Sequence, residues 1–146
     1  MDSSSKTEIE ALIPHRDPFL LVDRIVDRGE NTITTEFHAR PDLDAFRGHF
    51  PGSPILPGVL ISEFVFQSSA ILVSGESDGL LPVLTRIENA RFRRVVRPGE
   101  TLRAKVTLED AVGAARYMSA RVECEEETVL RIKFVVAAVP ESETVR

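Results

Sequence analysis

Apolar and polar residues alternate with a period of two in four stretches of the chain, and that period predicts strands. TITTEFHA (32–39) puts Ile33, Thr35 and Phe37 on one face and Thr34, Glu36 and His38 on the other. TLRAKVTLE (101–109) alternates through Leu102, Ala104, Val106 and Leu108, and ARYMSARVEC (115–124) through Met118, Ala120, Val122 and Cys124. TVLRIKFVVAAV (128–139) carries Leu130, Ile132, Phe134 and Val136 on one side. FLLVDRIV (19–26) and residues 82–95 are apolar and β-branched enough to read as two more strands. The connections at Gly29–Asn31, PGE, AVGA and EEE are as short as hairpins require.

Two segments have a helical period instead. Ser5 followed by Glu8 fits a capping box, with Ile9, Leu12 and Ile13 on one face and Pro14 as the stop. The segment from Pro57 to Val73 is apolar almost all round, with Pro57 in the first turn and Gly75 as the stop. Such a helix is expected to be wrapped by other elements. Between them, RPDLDAFRGHFPGSPILPG (40–58) breaks every period with four prolines and three glycines. Its apolar members Leu43, Phe46, Phe50, Ile55 and Leu56 predict an ordered, functional loop packed on the body. The expectation is an α+β fold: one domain over residues 1–146, with an antiparallel sheet of about six strands against one long helix, and tails at 1–4 and 140–146.

Composition narrows the partners. A net charge of −5 argues against a nucleic-acid coat, and 42% hydrophobic residues in 146 exclude a disordered chain. A single Cys forms no internal disulfide, and MDSSSKTEIE has no apolar leader. No run of 18 apolar residues occurs, so no membrane span is expected and the cytoplasm is the expected compartment.

Phosphate-loop and nucleophile-elbow motifs are absent, and His15, His38 and His49 lack metal-ligand spacing, so no metal site is expected. Cys124 has the inward parity of a core residue, His38 the outward parity of a surface one, and His15, just after Pro14, suits a structural hydrogen bond. His49 sits in RGHFPGSP, where an imidazole serves either as a proton acceptor or as a cap on a loop carbonyl. Glu63 is a carboxylate on an apolar helix: either a buried acid with a raised pKa or a face open to solvent or a subunit. Gln67, one turn on, is placed to bond it. At the helix start, the free N–H groups of Gly58 and Val59 make an oxyanion site. Base, acid and oxyanion donors within 15 residues suit dehydration of a β-hydroxyacyl thioester; the same parts also serve thioester hydrolysis or isomerisation.

IPHRDPFLLVDRIVD (13–27), FRGHFPGSPILPGVLISE (46–63) with Gln67, and ENARFRRVVRPGETL (88–102) give the chain a resemblance to the β-hydroxyacyl-acyl-carrier-protein dehydratases of the FabZ type. The resemblance implies a hotdog fold, with the sheet wrapped around the central helix, and a homodimer that in the family often stacks as a trimer of dimers. It implies dehydration of a (3R)-hydroxyacyl-acyl carrier protein to the trans-2-enoyl product, without a cofactor. His49 of one subunit would work with Glu63 of the other, with Gly58, Val59, Phe50 and Gln67 on the substrate side. Phe64, Phe66 and Arg86 depart from the family pattern at positions expected to reshape the acyl tunnel, as does Val95 in its strand. They leave room for a non-catalytic acyl-binding subunit as an alternative.

Residues 86–105 hold seven basic side chains against Glu88 and Glu100, a local +5 in a chain of net −5. Arg91, Arg93, Arg97 and Arg103 are the candidates for drawing in an acidic carrier protein. A charged strand edge that deters aggregation is the other reading.

Overall fold

The computed structural model describes residues 3–76 and 80–140, with side chains from residue 5 onward. Its elements are α1 (Ser3–Leu12), β1 (Arg24–Arg28), β2 (Thr32–His38), α2 (Asp44–Gly48), α3 (Gly58–Leu72), β3 (Leu80–Phe92), β4 (Thr101–Val112), β5 (Ala115–Cys124) and β6 (Glu127–Pro140). The strands form one six-stranded antiparallel sheet in the order β1-β2-β4-β5-β6-β3. Strands β4, β5 and β6 form a meander. Its second hairpin turns on Glu125 and Glu126, both at positive φ (51° and 70°), the sense that matches the twist of the flanking strands.

Strand parity places the core as expected. Ile33, Thr35 and Phe37 of β2, Leu102, Ala104 and Val106 of β4, Met118, Ala120 and Val122 of β5, and Leu130, Ile132 and Phe134 of β6 are buried on one face. Helix α3 lies on that face, most closely against β2 and β4 and more lightly against β3 and β5. The contact includes a buried polar bridge: Ser68 Oγ donates to Phe64 O at 2.8 Å and accepts from Thr35 Oγ1 at 2.7 Å. The C-terminal pole of α3 has no basic residue of its own, and β1 supplies one: Arg28 Nη2 donates to Ile71 O at 2.7 Å.

The structure differs from the sequence expectation in five places. Residues 19–23 are not strand; β1 begins at Arg24. The buried amide of Gln67 occupies the main chain there, accepting from Leu21 N at 2.8 Å and donating to Phe19 O at 2.8 Å. A ladder partner would need those same groups. Ser5 lies inside α1 instead of capping it, because the helix starts at Ser3. The long loop contains a helical turn, α2, which drives Phe46 into the core. Helix α3 is wrapped as expected in its second half, where Gln67 to Leu72 are all buried, but its first half is open on one side: Val59 is 77% exposed and Glu63 and Phe66 are half-covered. Finally, residues 3–4 belong to α1 and Pro140 to β6, while 1–2 and 141–146 lie outside the described residues.

Gln67 therefore joins the core helix to the segment before β1. Gln67→Leu is expected to leave the Leu21 N–H and the Phe19 carbonyl without partners and to lower stability by about 2–4 kcal/mol, read from the shift of the urea midpoint.

Candidate active site

His49 follows α2 in a turn tied off by its own main chain. Phe50 N donates to Ser53 O at 3.2 Å, Ser53 N to Phe50 O at 2.9 Å, and Ile55 N to His49 O at 2.9 Å. Gly52 takes the positive φ of 78° that this reversal requires. Leu56 N then donates to Val96 O at 2.8 Å, which anchors the loop beside the β3–β4 connection. The His49 ring stacks on Phe50, centroids 4.1 Å apart, and its Nδ1 lies 3.0 Å from Ile55 O. A carbonyl oxygen only accepts, so Nδ1 carries the hydrogen and Nε2 keeps its lone pair. The loop-carbonyl cap read from the sequence is present, and that bond leaves the lone pair of Nε2 without a partner among the described residues.

Pro57 caps α3 with an extended backbone, and Leu60 N and Ile61 N both turn back to Pro57 O. The N–H groups of Gly58 and Val59 have no acceptor among the described residues, as the first turn of a helix leaves them. The Phe92 ring of β3 packs over this pole, and a Cβ at position 58 would meet it at 3.1 Å.

Glu63 sits one turn further along α3. Gln67 Nε2 donates to its Oε2 at 3.0 Å, and His15 Nε2 lies 3.9 Å from the same oxygen. Burial pushes the Glu63 carboxyl above its usual range, and the Gln67 bond only partly offsets this. A cavity of about 80 Å³ opens beside it, lined by His15, Glu63, Phe66, Ala70, Pro82 and Leu84. Ala70, Pro82 and Val136 are shared with a second cavity of about 450 Å³ between the end of α1, the second half of α3, β3 and β6. The two cavities therefore adjoin, the larger lined by Leu12, Ile13 and Leu80 and also by Ser74, Glu76 and Arg116.

Of the three residues expected to alter the acyl tunnel, Phe66 lines the smaller cavity, its ring edge-on to Phe134 at 5.0 Å. Phe64 does not: it is fully buried, packed on Phe37 at 5.6 Å. Arg86 stands on exposed β3, paired with Glu88 at 3.1 Å. Cys124 is buried in the core, and His38 bonds Thr101 Oγ1 through Nδ1 at 3.0 Å.

His49 and Glu63 share no hydrogen bond, ion pair or cavity among the described residues; Glu63 lines the small cavity and His49 does not. The basic candidates are scattered too. Arg103 is taken up by Glu36 at 2.6 Å, whereas Arg91, Arg93 and Arg97 have no carboxylate within ion-pair reach among the described residues. Pairing across the strands makes a grouping that linear reading missed: Lys105, Arg121, Arg131 and Arg91 stand directly opposite one another on β4, β5, β6 and β3. The parity of each strand was legible; the inter-strand register that aligns them was not.

An antiparallel sheet curved over one buried helix, with a loop histidine and a helix carboxyl, is the frame of a hotdog-fold dehydratase. The ApeI-like family (ApeI dehydratase) matches residues 26–131. A 3-hydroxyacyl-[acyl-carrier-protein] dehydratase FabZ from Chloroflexus aggregans is 50% identical over 70% of this chain and 73% of its own. One from Latilactobacillus sakei is 39% identical over 88% and 96%. Among solved structures, the dehydratase heterocomplex ApeI:P from Xenorhabdus doucetiae superposes with a TM-score of 0.78 at 15% identity, covering 94% of both chains. An uncharacterised protein from Pyrococcus horikoshii reaches 0.65 at 20% identity, over 84% of this chain and 87% of its own. The chain belongs to the FabZ and ApeI-like dehydratase family.

The raised Glu63 carboxyl has a consequence for stability. The unfolded carboxyl ionises near 4.5, before the folded one, so Glu63 costs the fold nothing below that pH. The cost grows as pH rises through the folded value. Glu63→Gln is expected to match wild type near pH 4 and to exceed it near pH 8, as measured by urea unfolding at the two pH values.

Proposed function

We propose that this chain is the hydro-lyase that its family membership describes, removing water from a 3-hydroxyacyl group on acyl carrier protein in fatty-acid synthesis. One observation carries the assignment of its groups: His49 presents a bare Nε2 while Glu63 is a half-buried carboxyl biased toward its protonated form. His49 Nε2 takes the proton α to the thioester carbonyl, and the N–H groups of Gly58 and Val59 hold the charge that develops on the carbonyl oxygen. Glu63 gives its proton to the β-hydroxyl. The C–O bond breaks, water leaves, and the electron pair of the broken C–H bond becomes the new double bond. This step calls for no metal or redox group.

The two groups meet in a homodimer, His49 of one protomer facing Glu63 of its partner. Strand β3 is a 13-residue edge paired only with β6, exposing Ile87 and Phe92 at 48% each, and it leads to Val95 at 50%. Long apolar edges seek a partner. The uncovered side of α3, with Val59, Glu63 and Phe66, supports the same reading. The opposite edge, β1, is five residues long and charged, as edges that stay unpaired are.

Purified protein given 3-hydroxybutyryl- and 3-hydroxydecanoyl-acyl carrier protein is expected to form the enoyl products, followed by absorbance and mass. His49→Ala and Glu63→Gln should each lose about 10²–10⁴ in rate. Equal mixing of the two dead variants, with subunit exchange, should restore about a quarter of wild-type activity, because half the dimers then carry one intact pair. No recovery would place both groups of the site on one protomer.

The rung of four cations supports the acidic carrier as partner. The neighbouring rung on the same sheet face, Arg24–Glu36–Arg103–Glu123, alternates in sign, and Glu36 binds both of its arginines. In the cationic rung only Arg121 has a carboxylate, Glu123 at 3.2 Å, among the described residues. Like charges directly opposite each other destabilise a sheet, so this row marks a field that serves association. Arg121→Glu with Arg131→Glu should lower kcat/KM for the carrier-bound substrate by about tenfold at low salt and flatten its salt dependence. The rate on a short pantetheine-like thioester should not change.

A further inference from the structure

Among the described residues, one buried side-chain nitrogen or oxygen has no hydrogen-bond partner: Nδ1 of His15. It belongs to the ring whose other nitrogen faces the Glu63 carboxylate. Buried polar atoms are almost always satisfied, so an orphan beside a reactive group calls for a physical reason.

The orphan decides which nitrogen holds the proton. A neutral imidazole has one N–H and one lone pair. Burying an N–H with no acceptor costs more than burying a lone pair, so the hydrogen belongs on Nε2. Protonating the ring would put a second N–H on Nδ1 against that cost. Burial and the adjacent Arg16 cation both push the His15 pKa down, which disfavours the charged ring. The other groups lining the cavity around Glu63 from α3, β3 and β6 are Phe66, Ala70, Pro82, Leu84 and Val136, all apolar.

The main chain that carries the ring is also fixed in place. The Arg16 guanidinium donates to Glu10 O, Ile13 O and His15 O, and Arg16 O accepts from Phe19 N and Leu20 N. Gln67 holds Phe19 and Leu21 on the far side. Both protein contacts to the carboxyl fall on Oε2: Gln67 Nε2 at 3.0 Å and His15 Nε2 at 3.9 Å. Oε1 is left for the substrate.

We infer that His15 is a positioning residue for Glu63: locked as the Nε2–H tautomer, it turns its only N–H toward Oε2, so that the transferable proton sits on Oε1 and the carboxylate left after transfer is met by two donors. At 3.9 Å the contact is longer than a hydrogen bond in the resting protein, and it tightens as negative charge appears on Glu63. The inference deepens the dehydratase reading and rests on it for the catalytic consequence, but not for the tautomer.

Substitution separates the roles. Gln places an N–H where Nε2 stands, Asn places one nearer Nδ1, and Phe keeps only the ring. His15→Phe and His15→Asn are expected to lower kcat by about tenfold with KM unchanged, and to move the alkaline limb of the kcat profile upward as Glu63 becomes a weaker acid. His15→Gln should recover most of the rate and the wild-type limb. Equal rates for Gln and Phe, or an unmoved limb, would overturn the assignment. Imidazole ¹⁵N shifts of the wild-type protein test the tautomer without substrate: neutral Nε2–H at about pH 8 is expected, and Nδ1–H or a charged ring there would sink the idea. If wild-type enzyme fails on carrier-bound substrates, the dehydratase reading falls, and the ¹⁵N shifts still decide the state of His15.

Discussion

The side-chain amide of Gln67 is the interaction on which the rest of the site depends. Fully buried on α3, it uses both N–H groups and its oxygen: one N–H to Phe19 O, one to Glu63 Oε2, and the oxygen from Leu21 N. It stands in for a strand partner to residues 19–21 and at the same time orients a carboxyl one turn away. The segment it holds delivers His15 to that carboxyl. Core, pre-strand segment and acid are thus tied at one amide, and displacing it disturbs all three at once.

The two histidines near the chemistry are set in opposite states by what touches Nδ1. In His49 a carbonyl takes the Nδ1 hydrogen, and Nε2 is left as a base. In His15 nothing meets Nδ1, the hydrogen moves to Nε2, and that nitrogen becomes a donor. In the proposed mechanism one imidazole therefore accepts a proton and the other supports an acid, with no difference in residue type. The distinction lies entirely in the neighbours, and a motif scan sees only two histidines.

Strand parity in β2, β4, β5 and β6, the span of α3 to within a residue at each end, and the GHFPG loop with its helix pole were legible in the sequence, because period and turn chemistry are local properties. So was the Gln67–Glu63 bond, which follows from one helical turn. What lay hidden depends on contacts distant in sequence. FLLVDRIV has strand composition, yet its first half is claimed by a glutamine 46 residues away. Phe64 and Phe66 look alike as departures from the family pattern, but two residues on a helix point to different sides, and only Phe66 reaches the cavity. The cationic rung draws on β3, β4, β5 and β6, and no linear window contains it.

The uncovered side of α3 explains why an acid can be kept on so apolar a helix. Enclosed completely in a single chain, Glu63 would pay the full cost of desolvation with no counterion to offset it. Left at the margin of the fold, it keeps one donor from its own helix and one ring from the preceding segment, and burial raises its carboxyl above the usual range while the Gln67 bond partly offsets that. Joining a second protomer along β3 would then withdraw water from that margin and strengthen every dipole aimed at the carboxyl. In the proposed dimer the acid would be completed by assembly, and the exposed edge of β3 would then serve catalysis as well as adhesion.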